Sequence, residues 1–243
     1  MADRATTTTL AALAALCALA WGYLVWSPMP MPGTSGGLLS GRYAALTLAM
    51  WLVMMVAMMT PSVAPITLLF ARVNRRGDPA AASLRIACFV TGYLGVWLAF
   101  SLCATGLQIA WIASGWIDAM GVSARPLGTA SLLFAVGLYQ WLPVKRACLA
   151  HCQSPAQFIA HAHRPEAHGA LVMGLHHGLY CLGCCWALML LLFVGGVMNL
   201  AWIAVIAVVA SIEKMAGGMA WVTRAIGMTC VAAGMVIAVK GWA

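Results

Sequence analysis

Long apolar runs, separated by short polar segments, make up most of the chain. A helix that spans a bilayer needs roughly 20 apolar residues, and about seven runs come close to that length or exceed it. The segments between them carry turn-forming residues, as in SPMPMPGTSGG, NRRGDP and GVSARP. The pattern predicts an all-α fold, a polytopic transmembrane helical bundle of about seven spans. We place these spans at 9–26, 43–70, 86–113, 127–146, 169–194, 199–217 and 220–239.

The composition favours the same fold. Hydrophobic residues make up 64% of the chain and charged residues 7%, whereas soluble domains average about 45–50% and 25%. No polar segment is long enough to fold separately, so we expect residues 1–243 to form a single integral membrane domain. The run 9–26 is interpreted as a retained span. A cleaved signal peptide is the weaker interpretation, because Arg4 is partly offset by Asp3 and the run ends in interfacial Trp21 and Trp26.

Basic residues are distributed unevenly between the two ends of the predicted spans. Multi-pass membrane proteins carry more Lys and Arg on the cytoplasmic side, and a cytoplasmic N-terminus satisfies this rule. That side then holds Arg4, Arg72, Arg75, Arg76, Arg85, Lys145, Arg146, Arg164, Lys214 and Arg224, against Arg42, Arg125 and Lys240. The bias explains the net charge of +8 through contact with the lipid bilayer. A nucleic-acid partner is not expected, because the basic residues form no dense run with interleaved aromatics.

The fifth predicted span contains the strongest candidate metal ligands, in the segment GLHHGLYCLGCCWALM. His177, Cys181 and Cys184 follow the spacing i, i+4 and i+7 and so share one face of a helix, with Cys185 at its edge and His176 pointing away. Imidazole and thiolate ligands suit copper(I), zinc or iron, and an intramembrane histidine is costly and usually functional. Haem ligation through His177 is a further possibility. In the alternative interpretation the cysteines and Gly174, Gly178 and Gly183 are small residues that allow a neighbouring helix to approach closely.

A second group of candidate ligands precedes this span. Cys148, His151 and Cys152 lie at i, i+3 and i+4, so that one helical turn presents all three. Because the cytoplasm is reducing, a standing disulfide is not expected there. We interpret the group as an entry relay or as part of the same site. The alternative is a juxtamembrane amphipathic helix whose Lys145 and Arg146 contact lipid phosphates.

Two further spans offer possible ligands. Glu213 is as far beyond the GGVMN turn as Cys181 is before it, so antiparallel packing places both at a similar depth. We expect Glu213 to be a ligand, a partner of a histidine or a proton acceptor, unless Glu213 and Lys214 merely mark the end of a span, with Lys214 reaching the interface. In span two, Met54 and Met58 share a face with Met50. Thioethers favour copper(I), although methionine is also a common apolar filler.

Four segments resemble blocks of a known bacterial family: MWLVMMVAMMTPS, YQWLPVKRACLAHCQSP, GLHHGLYCLGCCWALMLLLFVGGVMN and SIEK. The chain is similar to this family of predicted metal-binding integral membrane proteins, formerly a domain of unknown function, from span two through span six. The resemblance implies a polytopic inner-membrane protein that binds a metal, and it implies no particular reaction. The matching residues are Met54, Met55, Met58, Met59, Cys148, His151, Cys152, His177, Cys181, Cys184, Cys185 and Glu213.

Three functions fit these features. The first is a cysteine-rich membrane protein that binds a soft transition metal, with copper favoured, and that handles it or delivers it to another membrane or redox protein. The second is a metal-dependent oxidoreductase acting on an apolar substrate in the bilayer. The third is a thiol–disulfide exchanger that passes electrons to a quinone, which the predicted cytoplasmic position of Cys148 and Cys152 disfavours. Whether the protein is an enzyme is therefore open at this level.

Overall fold

The structure, a computed structural model, is built from α-helices. It describes residues 2–27, 37–77, 79–123, 125–162, 166–215 and 219–241. Within these ranges there is no strand beyond an isolated bridge between Ile117 and Ser123, so the predicted all-α class is confirmed. The helices are α1 (Ala2–Trp26), α2 (Gly41–Gly77), α3 (Pro79–Ala113), α4 (Pro126–Tyr139), α5 (Pro143–Gln153), α6 (Pro155–Ala162), α7 (Ala167–Leu190), α8 (Leu192–Gly195), α9 (Leu200–Met215) and α10 (Ala220–Lys240).

Five stretches in the described residues are long and apolar enough to cross a membrane, lying in α1, α2, α3, α7 with α8, and α10. A sixth is obtained if α4 and α5, which meet at a bend of 64°, count as one span. The predicted helical bundle is thus confirmed. The predicted number of about seven spans is approximate, since the described residues contain five or six. The predicted span 199–217 corresponds to α9, which has 16 residues, and its positions 216–217 lie outside the described residues.

The predicted span 127–146 is interrupted at Pro143. A residue before proline is pushed towards an extended conformation, and Leu142 has φ −67° and ψ 142°. Pro143 can nevertheless start a new helix, because the first amide of a helix needs no partner within it. As a result α5 departs from the direction of α4 and packs against α7 and α9.

The helices α3 and α7 form the closest contact in the fold. A Cβ atom on Gly174 would overlap the carbonyl oxygen of Phe89, and one on Gly92 would overlap that of Leu171. The absence of side chains at these two glycines lets the backbones touch, as small residues do in membrane bundles. Fully buried aromatic rings continue the core between α2, α3 and α7, among them Trp51, Trp97 and Phe89.

The turn that follows α8 returns the chain towards the centre of the molecule. Gly196 has φ +97°, a left-handed conformation that glycine adopts without strain. The helix α9 then packs against α2, α5 and α7. Its last turn thereby brings Glu213 and Lys214 into the interior.

Candidate metal site

The candidate site lies where α2, α3, α7 and α9 meet around Cys181. The Cys181 side chain is 1% exposed, and its Sγ lies 3.1 Å from the Tyr93 hydroxyl oxygen. The Nζ of Lys214 lies 3.0 Å from the same Sγ and 3.5 Å from the Sδ of Met59. A buried ammonium group is therefore held between a thiol and a thioether.

Three more cysteines gather around Cys181. The Sγ of Cys152, on α5, lies 3.9 Å from the Sγ of Cys184. The thiols of Cys184 and Cys185 donate to the Cys181 carbonyl oxygen at 3.1 and 2.8 Å. The arrangement joins α5 to α7 through sulfur atoms. We refer to Cys152, Cys181, Cys184 and Met59 as the sulfur cluster.

His177 lies one helical turn before Cys181 and is 3% exposed. Its ring packs against Phe89, Tyr93 and Phe158, with ring centroids 6.2, 5.9 and 5.4 Å away. No other group in the described part of the chain forms a hydrogen bond with its Nδ1. A buried nitrogen without a partner costs about 1–3 kcal/mol, and such a cost in a native protein calls for an explanation. One explanation is that the His177 imidazole serves as a metal ligand.

The predicted group on α5 is divided by the structure. Cys152 belongs to the sulfur cluster through its contact with Cys184, whereas His151 is exposed and stacks on the Tyr180 ring at a centroid distance of 4.1 Å. Cys148 is half-buried beside Gly183, where an added Cβ would lie 2.7 Å from its Sγ. His151 and Cys152 are adjacent and point about 100° apart on the helix, so the three residues do not face one common point.

Glu213 is buried but lies apart from Cys181. Its Oε2 accepts a hydrogen bond from the Nζ of Lys145 at 2.7 Å, and Lys145 also donates to the Oε1 of Gln140. The backbone carbonyl of Glu213 accepts a further bond from the Nε2 of Gln153 at 2.8 Å. The contacts of Lys145 and Gln153 with Glu213 fasten α5 to α9, and the bond to Gln140 ties α5 to the end of α4.

Lys214, rather than Glu213, is the residue of α9 that lies beside Cys181. Lys214 is 8% exposed, so its amine lies inside the bundle, contrary to the alternative interpretation in which it extends to the membrane interface. Counting residues from the turn gives the correct depth for this part of α9. Because neighbouring residues on a helix point about 100° apart, depth alone does not decide which of the two faces α7.

The methionines of α2 are fully buried. Met54 and Met58 belong to the hydrophobic core, and the thioether in polar contact with the site is that of Met59. Sequence reasoning also missed Tyr93 and gave Lys214 no role in the site. A lysine inside an apolar run was a usable signal, since an intramembrane charge is by default a candidate functional residue, whereas Tyr93 had no distinguishing pattern.

The sulfur atoms of the cluster and the His177 imidazole lie in the same region but do not form a complete coordination sphere. Within the ranges that the structure describes, no three His, Cys, Asp or Glu side chains are arranged to hold a metal ion. The position beside Cys181 and Met59 is occupied by the Lys214 ammonium. Chemically, the site combines soft sulfur donors with one imidazole, a set that favours copper(I) over hard cations.

Comparison with known proteins adds one finding. The sequence model of the family PpoB2, described as copper chaperone, matches residues 48–237. This range covers most of the chain and includes the sulfur cluster, His177 and Lys214. The match favours copper and the handling or delivery of a metal, and it lends no support to zinc, iron or haem. No curated protein and no solved structure matches the chain.

Proposed function

The chain belongs to the copper chaperone family PpoB2, and we propose that it holds copper(I) at the sulfur cluster and passes it to another protein. The ligands come from Cys181, Cys184 and Cys152, with His177 and Met59 beside them. All of these lie in helices of the transmembrane bundle or in α5, which packs on it. The cargo is therefore carried inside the membrane domain that residues 1–243 form.

The position of the Lys214 ammonium is the observation that carries this proposal. A buried charge in an apolar surrounding is costly unless other groups compensate it. Here the compensating groups are the sulfur atoms of Cys181 and Met59, at 3.0 and 3.5 Å from Nζ. The protein thus stabilises one positive charge between two soft donors, and copper(I) has the same charge and a higher affinity for sulfur.

Copper binding requires the ammonium group to leave this position. Lysine carries its charge on a flexible four-carbon stem, so Nζ moves without a change of the helix backbone. Cys152 and Cys184, whose sulfur atoms are 3.9 Å apart, then supply further thiols on the side of α5. Return of Lys214 after copper leaves restores the charge balance of the site.

The positive-inside pattern of the sequence supports an orientation for the copper route. We propose that the protein lies in the bacterial inner membrane with its N-terminus in the cytoplasm. The basic residues Lys145 and Arg146 begin α5 on that side. Copper then enters the sulfur cluster from the cytoplasmic side, where thiols stay reduced.

The test is the copper content of the purified protein in lipid nanodiscs. The protein is loaded with copper(I) under a reductant, freed of unbound metal and analysed for copper by mass spectrometry. We expect near-stoichiometric copper in the wild type and a strong loss in Cys181→Ser and Cys184→Ser. Cys230→Ser serves as the matched control, because Cys230 is also buried but lies on α10. Copper retained by Cys181→Ser at the wild-type level would contradict the proposal.

A further inference from the structure

A cavity of about 440 Å³ lies between α5, α6 and α7. Its lining includes two histidines, His151 from α5 and His176 from α7, together with the rings of Phe158 and Tyr180. Both histidines are exposed. Two imidazole groups therefore line an accessible cavity outside the buried site.

The hydrogen bonding of His151 leaves one ring nitrogen available as a ligand. Its Nδ1 lies 2.9 Å from the carbonyl oxygen of Ala147. A carbonyl oxygen accepts hydrogen bonds, so Nδ1 is the donor and a neutral ring keeps its lone pair on Nε2. Metal-binding histidines are commonly oriented by this kind of bond. The stacked Tyr180 ring, 7° from parallel, holds the plane of the imidazole in place.

His176 and His177 are neighbours in sequence that face different surroundings. His177 is buried among Phe89, Tyr93 and Phe158, whereas His176 is exposed and lines the cavity. A change of direction of about 100° between successive residues on a helix explains this difference. The pair HH therefore places one imidazole on the cavity side of α7 and one on the buried side.

Phe158 connects the cavity with the buried histidine. Its ring lines the cavity and meets the His177 ring edge-on, with centroids 5.4 Å apart and planes at 64°. It also lies edge-on to Tyr180 at 6.5 Å. Phe158, carried by the short helix α6, therefore contacts both the cavity and the buried imidazole.

We propose that His151 and His176 form a surface site that receives copper(I) before it reaches the sulfur cluster. This proposal rests on the proposed function, because the buried thiols are the destination. The ion exchanges its imidazole ligands for His177 and then for sulfur, and each cysteine that binds it releases its thiol proton to solvent. The oxidation state of copper does not change. Copper(I) is a soft cation that prefers thiolate to imidazole, so the order of ligands directs it inwards past Phe158.

The experiment measures the rate at which the full-length protein in nanodiscs takes copper from the coloured cuprous bicinchoninate complex. Loss of colour in a stopped-flow instrument gives the rate, and the final copper content gives the capacity of the site. The test variant is His151→Phe combined with His176→Ala, in which the phenyl ring preserves stacking on Tyr180. His168→Ala is the control, since His168 is an exposed histidine of α7 that is not among the cavity-lining residues.

We expect the double variant to load about tenfold more slowly, in the range seen when groups that support a metal site are removed, while reaching the wild-type copper content. The His168→Ala variant should load at the wild-type rate. Equal rates for all three proteins overturn the surface site and leave the proposed function intact. A wild type that takes up no copper, or a Cys181→Ser variant that fills normally, overturns the proposed function itself.

Discussion

Two lysines are buried in the interior of this protein, and they are stabilised by different partners. The Nζ of Lys145 lies 2.7 Å from the Glu213 carboxylate and also donates to Gln140. The Nζ of Lys214 lies 3.0 Å from the Cys181 sulfur and 3.5 Å from that of Met59. Because Glu213 and Lys214 are adjacent on α9, one helical turn supplies the anion of the first contact and the cation of the second.

The difference between these contacts separates a structural role from a functional one. A carboxylate is a strong acceptor, and a bond between two charged groups is roughly twice as strong as a neutral one. Sulfur is a weak acceptor, so Lys214 is held less tightly than Lys145. The Lys145–Glu213 ion pair joins α5 to α9, whereas the position of the Lys214 ammonium is the one that the proposed function assigns to copper(I).

The largest effect is expected from breaking the Lys145–Glu213 ion pair. Glu213→Leu leaves the Lys145 ammonium buried without its anion, and removing one partner of a buried pair costs about 3–5 kcal/mol. We expect a loss of this size in the free energy of unfolding. The measurement is an unfolding titration with SDS in mixed micelles, followed by tryptophan fluorescence. Unchanged stability in Glu213→Leu would show that the ion pair does not hold α5 to α9.

The double variant Lys145→Met with Glu213→Leu is the control for this prediction. Replacing both members of a buried ion pair by apolar residues is often neutral or stabilising. The double variant should therefore recover most of the stability lost in Glu213→Leu. A loss equal to that of the single variant would assign the effect to packing around Glu213 rather than to an uncompensated charge.

A smaller effect is expected at the second lysine. Lys214→Met gives an apolar side chain that is one atom shorter and leaves behind a thiol and a thioether, both of which behave as apolar groups. We expect the free energy of unfolding to fall by about 1 kcal/mol, the typical net contribution of one hydrogen bond. The same SDS titration measures it. The copper content should stay at the wild-type level, because Lys214 is not a ligand. A stability loss as large as in Glu213→Leu would remove the distinction between the two lysines.

Helical periodicity predicted which candidate ligands of α7 share one face of the helix. The spacing of His177, Cys181 and Cys184 placed them on one face of α7 before any packing was known, and all three are buried in the structure. Apolar length likewise predicted the principal membrane helices. These features depend on local geometry, which the order of residues determines directly.

The remaining parts of the site depend on how helices are rotated against each other. Counting residues gave the depth of α9, since each residue rises 1.5 Å along the axis, but it favoured Glu213 where the structure has Lys214 beside Cys181. On α5 the same limitation grouped His151 with Cys152, although His151 is exposed beside Tyr180. Rotation is decided by side-chain packing between helices, which a single sequence does not display.

The smallest effect is expected at the contact of α5 with α7, where the Cβ of Gly183→Ala would lie 2.7 Å from the Cys148 sulfur. The Cys148 side chain must move, and this cost opposes a gain of up to about 1 kcal/mol in helix propensity. We expect nearly unchanged stability and faster labelling of Cys148 by a maleimide. Gly106→Ala is the control, because nothing lies within 4 Å of its added Cβ, so it should show the propensity gain alone. Equal labelling rates of Cys148 in the two variants would contradict this prediction. They would mean that α5 shifts away from the added methyl group without exposing the Cys148 thiol.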